Sequence, residues 1–168
     1  MLGKIEALRV HLRDSDFFTE VSRELGIKLH PMPFPFFMCE FSSIAAEVCL
    51  GLEKVVGDYL IPSDEYQGYI DRVLRVTQLE RREEYREELE HFKLGTRTIH
   101  VRHFLNRLPE TGMYVDLTYG QFVSGADLYV GSLPPDQLID VEVGYSSKRV
   151  QSAVKTVCKK QELINLDD

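Results

Sequence analysis

Cys39, His103 and Asp116 are the residues of this sequence whose types and placement make a chemical set. Phe41, Ile44, Ala45, Val48 and Leu52 fall on one face of a helix expected from about Glu40 to Val56. Pro31, Pro33 and Pro35 forbid regular helix through about Phe36, so Cys39 sits at or just before the first turn of that helix. A cysteine there meets unpaired backbone N–H groups and the positive end of the helix dipole, which favour thiolate over thiol, and the same amides can donate to an oxyanion. A thiolate nucleophile also needs a base and an acid to orient that base.

The segment after Thr96 supplies both. Ile99, Val101, His103, Leu105 and Arg107 alternate with His100, Arg102, Phe104 and Asn106 at strand spacing, Pro109-Glu-Thr-Gly112 supplies turn residues, and Met113 to Thr118 resumes the extended pattern. If residues 108 to 111 form the loop, Arg107 pairs with Gly112 and the ladder sets His103 directly opposite Asp116, on one face. A loop longer by one residue would put them on opposite faces. His100 is the competing base, but in a regular strand it points away from the His103 face. The spacing His100-x-x-His103 raises a metal site, yet it suits one face of a helix and no third ligand is obvious, so neither metal nor cofactor is expected. Two readings of Cys39 stand side by side: an activated nucleophile, or a thiol buried and inert among Phe36, Phe37, Met38 and Phe41. The His103–Asp116 pair likewise reads either as a base with its orienting acid or as a structural hydrogen bond across a hairpin.

The elements that must position these residues are helical first and extended later. Leu2, Ile5, Leu8 and Leu12 recur at helical spacing, and a second helix is expected from the cap candidates Ser15 and Asp16 to Gly26. Another is expected to start at Ser63 and to carry Tyr66, Tyr69, Ile70, Val73 and Leu74, and the charged run from Glu80 to His91 reads as a solvated helix. Strands are expected at about 97–107, 112–118 and 138–145, with a short one at Leu128 to Val130, and a last helix runs from Ser146 or Ser147 to about Leu163. This order points to a single α+β domain over residues 1–168, with the helix after Cys39 packed on an antiparallel sheet.

Composition narrows the remaining classes. The 168 residues are 43% hydrophobic and 28% charged, the balance of a folded globule. No apolar run reaches the roughly 18 residues of a spanning helix, and charges interleave the N-terminal segment, so neither membrane nor export is expected and the location is read as cytoplasmic. A net charge of −7, from 20 basic and 27 acidic residues, opposes nucleic-acid binding. Cys39, Cys49 and Cys158 form no metal-binding or disulfide pattern, and Cys49 and Cys158 read as small buried hydrophobes.

His103-Phe-Leu-Asn-Arg-Leu-Pro-Glu-Thr-Gly-Met-Tyr-Val-Asp-Leu-Thr-Tyr-Gly-Gln-Phe122 resembles the H-[YF]-W-N-R-L-P-x-G-x-x-x-D-L-T-x-x-Q-F block of the YunG-like bacterial family, itself similar to the papain-like and transglutaminase-like cysteine fold. Upstream, Cys39-Glu-Phe-Ser42 resembles that family's C-x-x-[TS] segment. The resemblance covers about residues 36–50 and 103–122. It implies a papain-like core and a cysteine-dependent hydrolase or acyltransferase acting on an amide or peptide-like bond of an unidentified protein or peptide-like substrate. Cys39 would be its nucleophile, His103 its base and Asp116 the orienting acid, with Asn106, Thr118 and Gln121 in support. The chain departs from the pattern at Leu105 for Trp, at one extra residue between Pro109 and Gly112, and at Met38 for the usual Gln before the cysteine. The rival class is a catalytically silent binding or regulatory module of the same fold, using its acidic helices or the aromatic segment from Phe34 to Phe41.

Overall fold

The structure is a computed structural model that describes residues 1–27, 38–62, 98–123 and 128–163, together with Gly68 and Asp71. The prolines at 31, 33 and 35, the helix expected from Ser63 and the charged run at 80–91 lie outside the described residues.

Three helices open the chain: α1 (Leu2–Asp14), α2 (Phe17–Leu25) and α3 (Cys39–Leu50). The apolar residues at helical spacing turn inward as their period requires, with Ile5, Leu8 and Leu12 of α1 and Phe17 and Val21 of α2 fully buried. Ser15 accepts the Phe17 amide at 3.1 Å and so turns the chain from α1 into α2. The helix after Cys39 is shorter than its periodicity predicts. It stops at Leu50 instead of Val56, because Gly51 takes the left-handed conformation (φ 66°) and closes the last turn by donating to Glu47.

The chain released by Gly51 becomes a strand that the periodicity does not announce, β1 (Glu53–Pro62). It is followed by β2 (Thr98–Arg107), β3 (Tyr114–Asp116), a 3₁₀ turn at Tyr119–Gln121, β4 (Tyr129–Gly131), β5 (Leu138–Val143) and a last helix α4 (Lys148–Lys160). The strands form one antiparallel sheet in the order β4-β3-β2-β1-β5. The unannounced strand therefore lies between β2 and β5. The expected strands at 97–107, 112–118 and 138–145 are present with trimmed ends, and Ser147 caps α4 by accepting the Val150 amide at 3.2 Å. No helix among the described residues is long and apolar enough to cross a membrane.

The hairpin register differs from the counted one. Asn106 pairs with Val115 and Arg107 with Tyr114, so Asp116 falls opposite Leu105, and His103 is not directly opposite it. The loop still holds four residues, but it starts at Pro109, which has no N–H to give the ladder. Leu108 keeps its bond to the Met113 carbonyl at 2.8 Å, and Gly112 (φ 71°) makes the return. The slip is two places, and an even slip preserves the face. His103 and Asp116 stay on one side of the sheet as diagonal neighbours.

Between β1 and β5 the ladder breaks at a bulge where Gly57 alone faces Asp140 and Val141, and Asp140 absorbs the extra residue with a positive φ of 52°. A Cβ on Gly57 would lie 2.7 Å from the Ile139 carbonyl oxygen. Because this clash is with backbone, Gly57→Ala is expected to cost about 1–3 kcal/mol, read as a lower midpoint in thermal denaturation. Gly144→Ala, whose Cβ would first meet the Lys54 side chain and the Val55 backbone at 3.2 Å, is expected to cost less.

Candidate functional site

Asp116 sits at the end of β3 with no exposed surface, and its carboxylate is fully engaged. Oδ1 accepts from the Thr118 amide at 2.8 Å and the Thr118 hydroxyl at 3.0 Å, and Oδ2 lies 2.7 Å from His103 Nε2. Three donors on one carboxylate are what a buried negative charge requires. Against that carboxylate the His103 Nε2 carries a hydrogen.

His103 is also fully buried. Its ring meets Phe122 edge to face at 4.7 Å between centroids and Tyr59 at 6.3 Å, while Tyr59 and Phe122 stack on each other at 3.8 Å. The stacked pair covers one side of the imidazole and helps to keep water from it. Burial pushes His103 toward its neutral form, but the charge and hydrogen bond of Asp116, together with the adjacent Cys39 thiol, outweigh it and raise the imidazole well above its ordinary value.

Cys39 is the first residue of α3, half-buried, and near enough to His103 to pull its pKa upward. The amides of Cys39, Glu40 and Phe41 have no carbonyl within the helix to bond, since the first intrahelical bond runs from the Ser42 amide to Met38 at 2.9 Å. Two clamps seat this end of α3. Ser43 donates its hydroxyl to the Leu105 carbonyl at 3.1 Å, and Asn106 Nδ2 donates to the Ser43 carbonyl at 3.0 Å, tying the helix to the strand that carries His103. Glu40 accepts from the Ser146 hydroxyl at 2.6 Å, which in turn accepts from the Lys54 ammonium. Burial pushes that lysine's pKa down against the upward pull of Glu47 and Glu40.

The structure thus brings together Cys39, His103 and Asp116, with Thr118 and Gln121 on the same cluster. Gln121 Nε2 stands 3.1 Å from His103 Nδ1 and 3.4 Å from Thr118 Oγ1. Asn106 supports the helix and not the imidazole. His100 points away, 59% exposed, toward Asp58 at 3.9 Å. Among the described residues no group of His, Cys, Asp and Glu is arranged to hold a metal ion. Cys49 and Cys158 are buried against each other between α3 and α4, and hydrogen bonding to Cys49, with burial, pushes the Cys158 thiol up. The residues that sequence reasoning missed are Ser43, Lys54, Ser146 and Tyr59. Their partners lie 62 to 106 positions away along the chain for the clamps, so no local pattern marks them.

No family model, curated protein or solved structure matches the chain.

One buried polar atom next to the site is unsatisfied. Ser42, a turn beyond Cys39 on α3, has a hydroxyl with no partner among the described residues and a residue exposure of 1%. An unpaired buried hydroxyl is destabilising by about 1–3 kcal/mol, and Ala is the better helix former. Ser42→Ala is therefore expected to stabilise the protein by about 1 kcal/mol, raising the thermal midpoint by about 2–4 °C. An unchanged or lower midpoint would mean that the hydroxyl has a partner.

Proposed function

We propose that the protein is a cysteine-dependent hydrolase or acyltransferase acting on an amide or peptide-like bond, with Cys39 as nucleophile, His103 as base and Asp116 as the acid that orients it. The observation that carries this reading is the convergence of a helix-terminal thiol on an imidazole whose Nε2 is held by a fully buried carboxylate. A structural His–Asp pair does not need a cysteine against it. The resemblance of residues 36–50 and 103–122 to the YunG-like family, and through it to a papain-like core, supports the same assignment.

In this mechanism the Cys39 proton passes to His103 Nδ1, and the thiolate attacks the carbonyl carbon of the substrate. The new oxyanion accepts from the free amides at the start of α3, the backbone donors left where Met38 stands in place of an amide side chain. His103 then gives its proton to the leaving nitrogen, the C–N bond breaks, and a thioester remains on Cys39. Water, or an amine acceptor in a transferase, attacks the thioester with His103 again taking the proton; the C–S bond then breaks, and His103 returns the proton to the departing Cys39 sulfur. Asp116 holds the Nε2–H tautomer throughout and balances the imidazolium without itself becoming protonated.

The test is iodoacetamide alkylation of the native protein across pH 5 to 8, with mass spectrometry to localise the adduct. Cys39 is expected to react faster than a thiol of the denatured chain, most clearly below pH 7. His103→Ala should remove that enhancement and also abolish acylation of Cys39 by p-nitrophenyl acetate, a loss of about 10²-fold or more. His100→Ala should leave both unchanged. If native Cys39 reacts no faster than the denatured thiol, the acyl-transfer reading fails and a catalytically silent binding module of the same fold replaces it.

A further inference from the structure

Lys54 is a buried cation that the acyl-transfer chemistry does not use. It stands near the start of β1, opposite Asn106 of β2, with 2% of the residue exposed, and Gly144 packs on its stem, where a Cβ would lie 3.2 Å from Lys54 Cγ. Its ammonium lies 5.7 Å from the centre of the Phe104 ring and donates to the Ser146 hydroxyl. An ammonium has only hydrogens to offer, so Ser146 Oγ is the acceptor there, and its own hydrogen goes to Glu40 Oε1 at 2.6 Å. The direction of both bonds is thereby fixed, and they join a positive charge on β1 to the carboxylate that follows Cys39.

That carboxylate works against the chemistry assigned to Cys39. In the first turn of α3 an acid is favourable to the helix, but Glu40 is one residue from the sulfur on which the reaction needs negative charge, and like charges so close oppose each other. The groups facing Lys54 are Glu40 and Glu47 from α3, Phe104 and Asn106 from β2, and Ser146 before α4. Burial pushes the lysine's pKa down, and the two acids pull it back. Burying an ammonium is costly, and a bond from Ser146 alone would tether Glu40 without that cost. What the lysine adds to the tether is its charge. The charges that raise His103 are those of Asp116 and Cys39, and Lys54 is not among the groups acting on the imidazole, so it bears on the thiol side of the pair.

We propose that Lys54 is a positioning residue of this site: through Ser146 it holds and offsets the Glu40 carboxylate, so that negative charge can form on Cys39 beside it. This rests on the acyl-transfer reading of the site and names the cation that makes an acid at the start of α3 compatible with a thiolate there. Without the ammonium, Glu40 is an uncompensated charge next to the sulfur, and the bond from Ser146 is all that keeps it turned toward β1.

The experiment compares alkylation of Cys39 by neutral iodoacetamide and by anionic iodoacetate at pH 7 in Lys54→Met, which keeps a long unbranched side chain and removes its charge. Uncovering one negative charge should slow iodoacetamide about five-fold and iodoacetate about three-fold more, and the extra loss should shrink in about 1 M salt, where the Debye length is about 3 Å. Glu40→Gln added to Lys54→Met should restore both rates, which it would not do if the lysine served only to fasten the helix. Where Lys54→Met does not melt cooperatively, Ser146→Ala, which breaks the chain and keeps both charges, takes its place and should move both rates in the same direction by less. Rates that do not fall, or that fall and are not restored by Glu40→Gln, overturn the proposal. His103→Ala separates the two levels: if it slows wild-type alkylation while Lys54→Met does not, the cysteine chemistry stands and the role of Lys54 falls. If His103→Ala changes nothing, the acyl-transfer reading itself has failed.

Discussion

A carboxylate removed from water must be met by donors or it does not stay ionised, and Asp116 is such a carboxylate, with no exposed surface. Its three donors come from two residues, and both are constrained by the need to reach it. Thr118 follows within two positions and closes the end of β3 with its amide and hydroxyl, turning the chain into the 3₁₀ segment that carries Gln121 and Phe122. His103 arrives from the neighbouring strand, which requires that β2 and β3 pair with the two residues on one face. One buried charge thereby selects the parity of the hairpin register, the tautomer of the imidazole and the position of the aromatic wall at Phe122.

Cys39 is located by a separate set of bonds. A helix terminus can rotate or slide unless something other than apolar packing holds it, and apolar packing is non-directional. Ser43 and Asn106 cross-link α3 to β2 through their own carbonyl partners, and the Lys54–Ser146–Glu40 chain ties the residue after Cys39 to β1 and to the loop before α4. Both clamps lie within the first five residues of α3. The far end of the helix, where Cys49 meets Cys158, is held by packing in the core. Directional bonds are thus concentrated at the end of the helix that carries Cys39.

What was legible in the sequence follows the range of the forces involved. The start of α3 after the prolines, the Ser147 cap and the alternation of β2 are local signals, each written within a few residues, and the structure contains all three. β1 was hidden because Leu52 and Val56 happen to continue the helical period of Ile44, Ala45 and Val48. The stop at Gly51 was present in the sequence and outvoted by that coincidence. The register failed by two places because counting treats Leu108 as loop, whereas its amide still bonds across the hairpin and only Pro109 leaves the ladder. Face parity survived because side chains alternate with a period of two. The clamps were not legible at all, since Ser43, Lys54 and Ser146 become meaningful only once the sheet has brought distant segments together.

The burial of His103 also limits how the site can be reached. With Asp116 on one nitrogen, Phe122 and Tyr59 against the ring, and Gln121 at the second nitrogen, the imidazole has no exposed surface, while Cys39 is only half-buried. Low-dielectric walls strengthen the attraction between thiolate and imidazolium once formed, and they equally raise the cost of forming either charge alone. A site of this construction favours transfer of a proton between its own two groups over exchange with bulk solvent.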